Sequence, residues 1–484
     1  MPPRYQRVAV IGAGPSGLAA VHALAQEKNF DTIRVFERRD RVGGLWHLDP
    51  EPDVFPASWR PARIVNQPVK LPDFNSPSDP DLTARTAIYP GLDSNVGASV
   101  MAFTHTPFPQ GNSAVSVNRF GHNNPTRPFE TITGWIEDLF KPYLRWTSLS
   151  TSVEKVERKG TEWILTLRRT DLLYRGKQSD YWWQEAFDAV IVATGHYNVP
   201  NIPKIDGIDE TLRAFPQSLE HSKSYRSRDK YVKKKVLVIG GSISASDLVS
   251  DLHDIVSGPL YLSVRGTNPR LDSLYNLPNV KLQAPVKSIH PSIKDGGITV
   301  TFTDGTSISN LQHILFATGF RLSYPFLTPN PITPTNRLAR FYQHVFNFDE
   351  PSLAVVGQCR GALSFRVYEY QAVAVARYFA NHEAHVLPSI DKQEAWEAQR
   401  IKYKGDNDRF HEILPDFEAY FNWLQEFAGK PAPGSDAYEL PRYDPQWEVY
   451  GLAVLELKDK YLKDIAEKTK KRFQEKKVPI QAKL

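Results

Sequence analysis

The chain has 484 residues, which is enough for two or three domains with a large buried core. Hydrophobic residues make up 41% and charged residues 23%, typical of a globular protein, and a net charge of +5 over this length is too weak to indicate nucleic-acid binding. The single cysteine, Cys359, excludes an intramolecular disulfide, a Cys-x-x-Cys redox pair and a thiolate metal cluster, so any redox chemistry must belong to a bound cofactor. The histidines show no metal-ligand spacing, and no metal site is expected.

The sequence contains no membrane-spanning pattern, because no run approaches 18 consecutive apolar residues. Its N-terminus carries no signal-peptide pattern, so we expect a soluble, cytoplasmic protein. The last three residues, Ala482-Lys483-Leu484, resemble the peroxisomal signal Ser-Lys-Leu with one small-residue change. A peroxisomal location therefore stays an alternative.

The first predicted unit is a strand (8–11), a glycine turn (12–17), a helix (18–26) and a second strand (33–36) that ends on Glu37. The turn reads Gly-Ala-Gly-Pro-Ser-Gly and opens the helix, so its backbone N–H groups and the helix dipole can bind a pyrophosphate. Glu37 stands 20 residues after the turn, where a carboxylate accepts hydrogen bonds from ribose hydroxyls and repels a 2′-phosphate. This unit predicts an FAD or NAD site. The alternative is an empty turn of the same shape.

A second unit of the same kind starts about 230 residues later. Its strand (236–239) leads into a turn (240–245) that reads Gly-Gly-Ser-Ile-Ser-Ala, with Ser242 in place of the middle glycine, and its second strand (260–264) ends on Arg265. A guanidinium at the position of the ribose-binding acid is the counter-charge that a 2′-phosphate requires. The second unit therefore predicts an NADP site. The alternative is that Arg265 is merely a solvated residue at the end of a strand.

The segments around these units differ in character. Residues 49–130 are rich in proline and aromatic residues, and such a long irregular stretch in a compact protein is typical of a functional region. From residue 152 the pattern is that of β-strands, and the buried strand and glycine turn at 189–195 have a near copy at 314–319. Helices are predicted after Phe365, and the lysine-rich residues 458–477 are expected to form a solvated surface helix.

Four more stretches carry recognisable patterns. They are residues 43–46 (Gly-Gly-Leu-Trp), residues 89–103 (Tyr-x-x-Leu-x-Ser-Asn followed by Met-x-Phe), residues 215–226 (Phe-Pro-Gln-Ser-Leu-Glu-His-Ser-Lys-Ser-Tyr-Arg) and residues 316–320 (Phe-Ala-Thr-Gly-Phe). With the two glycine turns, their order and spacing over about residues 7–376 resemble the class B flavin-containing monooxygenases.

The stretch at 215–226 resembles that family's identifying motif, Phe-x-Gly-x-x-x-His-x-x-x-Tyr-Lys, with two departures. Gln217 replaces the glycine and Arg226 replaces the lysine. Tyr225 stands where the related Baeyer–Villiger monooxygenases have tryptophan, which favours oxygenation of nitrogen or sulfur. His221 has two open interpretations: a cofactor contact, or a packing residue that links the two domains.

The resemblance implies an α/β fold with two Rossmann-like dinucleotide-binding domains, the NADPH domain being inserted into the FAD domain. We place the first part of the FAD domain at 1–214, the inserted NADPH domain at 215–325, and the second part of the FAD domain with a helical C-terminal region at 326–484. The cofactors would be FAD and NADPH.

The implied reaction is oxygenation of a small organic substrate. In the family, NADPH reduces FAD, and reduced flavin forms a C4a-hydroperoxide with O2 that a soft nitrogen or sulfur nucleophile attacks. The resemblance makes Asn95 the active-site asparagine, although an asparagine there could simply close a turn. Together, the motifs and the resemblance give these cofactor-binding residues: Gly12, Gly14, Ser16, Gly17, Glu37, Gly44, Leu45, Trp46, Ser94, Asn95, Val96, Gly240, Gly241, Ser242, Ser244 and Arg265.

Three other functions stay open on the sequence alone. A Baeyer–Villiger monooxygenase shares the cofactors and most motifs, an NADPH-dependent flavin oxidase would release peroxide without inserting oxygen, and a nucleotide-binding protein would have no activity. The sequence does not indicate an oligomeric state, and a homodimer stays an alternative. The expected partners are a small-molecule substrate and O2, without nucleic acid.

Overall fold

The computed structural model describes residues 4–53, 67–79, 81, 84–266, 268–292, 294, 296–381 and 386–475. The C-terminal tripeptide lies outside the described residues. Among the described helices, none is both long and apolar enough to cross a membrane.

The strands are, in chain order, β1 (Arg7–Ile11), β2 (Thr32–Phe36), β3 (Asp73–Asn75), β4 (Thr147–Ser148), β5 (Thr151–Lys159), β6 (Glu162–Tyr174), β7 (Lys177–Phe187), β8 (Ala189–Val192), β9 (Val199–Pro200), β10 (Leu219–His221), β11 (Val236–Ile239), β12 (Leu260–Ser263), β13 (Val280–Gln283), β14 (Val286–Ser292), β15 (Gly297–Phe302), β16 (Ser307–Leu311), β17 (His313–Phe316), β18 (Phe320–Arg321), β19 (Phe341–Tyr342), β20 (Phe346–Asn347) and β21 (Leu353–Val355).

The helices are α1 (Pro15–Glu27), α2 (Ala98–Met101), α3 (Ala114–Phe120), α4 (Phe129–Phe140), α5 (Ile208–Ala214), α6 (Ile243–Leu252), α7 (Asp272–Tyr275), α8 (Phe365–Ala380), α9 (Ile390–Lys404), α10 (Phe417–Ala428) and α11 (Gln446–Glu475).

The first nucleotide unit lies in a seven-stranded sheet of order β19-β20-β21-β8-β1-β2-β4, whose strands from β21 to β4 are parallel. Residues 8–11 of β1 are buried on both faces, which is why the run is continuously apolar. Helix α1 packs beside α8 on one face, and small residues such as Ala20 and Ala23 let it lie close. The antiparallel sheet β3-β7-β6-β5 packs on the other face through Leu165 and Phe187.

The second unit lies in a five-stranded parallel sheet of order β10-β17-β11-β12-β13. Helix α6 packs on one face through Leu248 and Leu252, and the antiparallel sheet β14-β15-β16 covers the other face through Ile298 and Val300. Since strands of the first sheet precede and follow this unit in the chain, the second domain is inserted into the first. The predicted fold class of two Rossmann-like domains is confirmed.

Helix α11 differs from the expectation for residues 458–477. It is a 30-residue helix, and Leu462 is buried in the core of the inserted domain. Lys458 pairs with Asp247 of α6 at 2.7 Å. The predicted helix is present and most of its residues after 458 are exposed or half-buried, but it is not solvated on every side. The abundance of lysine hides an apolar stripe through Val454, Leu462 and Ile465 at helical spacing.

Candidate active site

The two sheets are joined by a two-stranded ribbon, in which β9 pairs antiparallel with β18. The backbone N–H of Asn201 donates to the carbonyl of Gly319 at 2.8 Å, and the Asn201 amide donates to the carbonyl of Thr318 at 3.2 Å. Next to the ribbon, the rings of Tyr197 and Phe320 meet edge to face with centroids 5.4 Å apart. The ribbon therefore brings the carboxyl end of β8 against that of β17.

Between the two carboxyl edges lies a cavity of about 1300 Å³. Strand ends of both sheets contribute to its wall, and parallel sheets bind ligands at this edge. Of the predicted site residues, the following line it: Gly12, Gly14, Ser16, Glu37, Gly44, Leu45, Trp46, Ser94, Asn95, Gly240, Gly241, Ser242, Ser244 and Arg265. Gly17 and Val96 are not part of the lining.

The first glycine turn lies at the cavity wall, and other backbone segments pack closely against it. A Cβ on Gly17 would stand 2.0 Å from the carbonyl oxygen of Gly12, so this position supports the turn and is hidden from a ligand. A Cβ on Gly44 would stand 2.8 Å from the Cα of Gly14, which brings residues 43–46 directly against the turn. The first N–H groups of a helix have no partner within the helix, and no side chain caps α1, so its N-terminus can bind a pyrophosphate.

Glu37 is buried at the end of β2, and its carboxylate is held by two backbone groups. It accepts a hydrogen bond from the N–H of Ala13 at 2.8 Å and another from the N–H of Arg39 at 2.9 Å. A carboxylate offers about four lone-pair sites, so acceptor capacity remains toward the cavity for ribose hydroxyls. The residues present fit an adenosine that carries no 2′-phosphate.

The second glycine turn has the same geometry in the inserted domain. Gly240 has φ of 128°, and a Cβ there would stand 2.3 Å from the carbonyl oxygen of Ala317, so only glycine fits. Ser242 is the exposed N-cap of α6, and its hydroxyl makes no capping bond to the helix. Arg265 is exposed at the cavity wall, and no described acidic side chain pairs with it. This edge fits a dinucleotide that carries a 2′-phosphate.

Asn95 lies in a loop that other residues hold in place. The hydroxyl of Ser94 accepts from the N–H of Arg127 at 3.1 Å and donates to the carbonyl of Val96 at 3.1 Å. A Cβ on Gly97 would stand 2.0 Å from the carbonyl oxygen of residue 450, so the loop rests on the first turns of α11. The Asn95 side chain is exposed at the cavity wall. Ser94, and not Asn95, supplies the side-chain bonds that close this loop among the described residues.

Residues 218–226 form a largely buried segment between the domains. His221 is fully buried; its Nε2–H donates to the carbonyl of Gly319 at 2.9 Å, and its Nδ1 accepts from the N–H of Lys223 at 3.1 Å. The Lys223 ammonium forms a buried ion pair with Asp53, and Arg226 donates to the carbonyl of Asp49 at 2.8 Å. His221 does not line the cavity, so its geometry favours the packing interpretation.

Sequence reasoning missed several polar groups of the cavity wall. His196 follows the glycine turn after β8; its Nδ1–H donates to the carbonyl of Gly357 at 3.2 Å, while its buried Nε2 has no hydrogen-bond partner among the residues that the structure describes. Arg360 and Asp408 form an ion pair at the same wall. The repeated Ala-Thr-Gly turns could have drawn attention to His196, but nothing in the sequence joins Arg360 to a residue 48 positions away.

The described residues contain no group of three or more His, Cys, Asp or Glu side chains that could hold a metal ion. The buried thiol of Cys359 lies at the cavity wall, and burial raises its pKa to about 11. It is therefore protonated at neutral pH and unsuited to act as a nucleophile.

Two family models match the chain. The model for pyridine nucleotide-disulphide oxidoreductases matches residues 6–265, and that for flavin-binding monooxygenase-like proteins matches residues 273–433. The flavin-containing monooxygenase iboF of Amanita muscaria is 29% identical over 84% of this chain and 85% of its own length. The flavin-containing monooxygenase FMO GS-OX5 of Arabidopsis thaliana is 27% identical over 88% of this chain and 85% of its own length.

Solved structures share the fold. The S-allyl-L-cysteine S-oxygenase of Allium sativum matches with a TM-score of 0.71 and 23% identity, covering 97% of this chain and 99% of that one. Cyclohexanone monooxygenase matches with a TM-score of 0.53 and 14% identity over 87% of this chain and 97% of that one.

The buried histidines make stability depend on pH. Burial lowers the pKa of His221 to about 3 and that of His196 to about 4. Below pH 6.5 the unfolded chain binds protons that the folded chain does not, so stability is full at pH 7 and is lost as the pH falls. Each histidine should cost on the order of 1 kcal/mol per pH unit between about pH 6 and its own pKa. Denaturant titrations at about pH 7, 6 and 5 measure this slope.

In the same titrations, His221→Gln should have a shallower slope by about one proton, whatever its stability at neutral pH. A variant whose slope equals that of the parent would show that His221 is not the source of the acid sensitivity.

Proposed function

The chain belongs to the flavin-containing monooxygenases, and we propose that it uses NADPH and O2 to oxygenate the sulfur or nitrogen atom of a small organic substrate. The observation that carries this proposal is a shared cavity with a nucleotide turn at each side, one beside a buried acid and the other beside an exposed base. For a thioether, the balanced reaction consumes the thioether, O2, NADPH and a proton in equal amounts, and it gives the sulfoxide, NADP⁺ and water.

FAD supplies the electron transfer and the activation of O2 when it is bound; the chain supplies binding, orientation and exclusion of water. We assign the FAD adenosine to Glu37 and its pyrophosphate to the turn at 12–17, with residues 43–46 packed against that turn. We assign the NADPH pyrophosphate to the turn at 240–245, and its 2′-phosphate to Arg265. Domain boundaries at 214/215 and 325/326 are part of this proposal.

Asn95 is proposed to contact the reacting groups. Its loop is fixed by Ser94 and by α11, so the amide is held at the cavity wall with two donors and an acceptor unused by the loop. Such an amide can donate to an oxygen atom while it excludes a water molecule from the same place.

Sulfur or nitrogen oxygenation is favoured over Baeyer–Villiger oxidation. Tyr225 has the smaller ring where tryptophan marks the ketone oxygenases, and its hydroxyl donates to Asp251 of α6 at 3.1 Å, a bond that tryptophan could not form in the same way. The Allium sativum S-oxygenase is also more similar to this chain in fold than cyclohexanone monooxygenase is. The Arabidopsis GS-OX5 protein is more similar to it in sequence.

The direct test mixes flavin-loaded protein with NADPH, O2 and one compound at a time: a thioether, a tertiary amine or a ketone. We expect sulfoxide or N-oxide in an amount close to the NADPH consumed, and no ester from the ketone. Product analysis by mass spectrometry with isotopically labelled O2 measures this. Ester as the main product would assign the Baeyer–Villiger reaction, and peroxide without oxygenated product would assign an oxidase.

Arg265→Ala should weaken the binding of NADPH and leave the binding of NADH nearly unchanged. A charge-assisted hydrogen bond contributes roughly 1.5–3 kcal/mol, so the Michaelis constant for NADPH should rise about 10–100-fold. Steady-state NADPH and NADH oxidation measure the two constants. Arg270→Ala is the matched control, because Arg270 is exposed in the same segment but does not line the cavity. Equal losses with both cofactors would remove Arg265 from the phosphate site.

Asn95→Ala should bind FAD and oxidise NADPH, but it should form less oxygenated product and release more hydrogen peroxide, because water gains access where the amide stood. Peroxide and product yields per NADPH measure this. Asn124→Ala is the matched control: Asn124 is buried and closes a turn through its bonds to Gly121 and Thr126, so its loss should lower stability and leave coupling intact. Full coupling in Asn95→Ala would exclude the active-site role.

A further inference from the structure

The cavity wall beyond β21 carries an ion pair. The guanidinium of Arg360 contacts the carboxylate of Asp408, and both residues line the cavity. The two side chains are 37% and 41% exposed. An ion pair exposed to this degree contributes little to stability. Separating the two charges to bind another molecule would therefore cost little stability.

The position of the pair on the sheet separates it from the adenosine site. From Glu37 at the end of β2, the carboxyl edge runs past β1 and β8 to β21, which precedes Arg360. With strands about 4.8 Å apart, three intervals span about 14 Å. A dinucleotide with its ribose at Glu37 and its pyrophosphate over β1 would extend toward β8 and β21. Arg360 and Asp408 therefore lie on the side of the cavity where the redox-active ring of this dinucleotide would be placed.

The backbone fixes both members of the pair. The N–H of Arg360 donates to the carbonyl of His411 at 2.9 Å, and the N–H of Ile413 donates to the carbonyl of Arg360 at 2.9 Å. Asp408 begins a short 3-10 turn, capped by the side chain of Asn407. The two charges are thus presented from a rigid frame, as a specific binding site requires.

The ring of His196 lies at the same cavity wall. Its Nδ1–H donates to the carbonyl of Gly357, and its Nε2 has no hydrogen-bond partner among the described residues. Since the Nε2 atom has almost no accessible surface, a molecule in the cavity would contact the rest of the ring. The ring is 4.1 Å from that of Tyr197, between centroids, and Tyr368 lines the same wall.

We propose that Arg360 binds the carboxylate, and Asp408 the ammonium group, of a zwitterionic substrate, an amino acid whose side chain carries a thioether. When a zwitterion binds, its carboxylate takes the place of Asp408 beside Arg360, and its ammonium group takes the place of Arg360 beside Asp408. A simple anion would pair with Arg360 and leave the charge of Asp408 without a partner. This inference rests on the proposed oxygenation of sulfur.

The test compares four thioethers as substrates: S-methyl-L-cysteine, which has both charges; 3-(methylthio)propanoate, which has only the carboxylate; 2-(methylthio)ethylamine, which has only the ammonium; and methyl phenyl sulfide, which has neither. Arg360→Met should lower kcat/KM for the two carboxylates roughly 10–100-fold, mainly through KM. Asp408→Asn should lower it for S-methyl-L-cysteine and the amine. Neither variant should change the rate with methyl phenyl sulfide.

Flavin absorbance and melting temperature show whether each variant is folded and loaded, and Arg360→Lys should recover part of the loss with the carboxylates. Equal losses for all four thioethers, or no preference of the parent enzyme for S-methyl-L-cysteine over methyl phenyl sulfide, would overturn the inference while sulfur oxygenation stands. Failure of the parent enzyme to oxygenate any thioether would instead overturn sulfur oxygenation itself, and this inference with it.

Discussion

The arrangement of the molecule depends on the ribbon in which β9 pairs with β18. The two Rossmann-like sheets have separate cores, and neither glycine turn alone could bring two dinucleotides together. The ribbon ties Asn201, just beyond the first Ala-Thr-Gly turn, to Thr318 and Gly319 of the second. Because both turns follow the strand next to the glycine-turn strand of their own sheet, the ribbon places equivalent edges face to face. In the proposed binding mode, the reacting ends of the two cofactors would meet between these edges, and their ribose ends would lie at Glu37 and Arg265.

Helix α6 provides the second constraint on the domain arrangement. Its N-terminus meets the cavity, and its acidic residues Asp247 and Asp251 face the first domain and α11. Tyr89 and Lys458 hold Asp247, while Arg119 and Tyr225 hold Asp251. A carboxylate near a phosphate site would repel the ligand, so the Lys458 charge has an electrostatic effect as well as a structural one. The start of α11 also supports the Asn95 loop at Gly97, so one helix contacts both this loop and α6.

Local sequence patterns were sufficient for the two nucleotide units, because a buried parallel strand, a glycine turn and a helix leave a signature within about 30 residues. The strands β1, β2, β11 and β12 lie on the predicted runs, and most predicted site residues reach the cavity. Interactions distant in sequence were not predictable. The burial of His221 under Gly319 depends on two strands that are adjacent only in the folded sheet, and the anchoring of Leu462 depends on the inserted domain. The pair of Arg360 with Asp408 has no local pattern at all.

The two ribose positions differ in more than charge. Glu37 is buried and fixed by two backbone N–H groups, so an adenosine bound there meets a preorganised acceptor and loses little by ordering it. Arg265 is exposed and has no described acidic partner, so a nucleotide that bound it in the proposed way would have to order its side chain. The first arrangement suits a cofactor that stays bound, and the second suits one that leaves after each turnover. In the proposed reaction, FAD is regenerated while it stays bound, whereas NADP⁺ must be exchanged for NADPH. The difference in burial between Glu37 and Arg265 therefore matches the longer time for which FAD must stay bound.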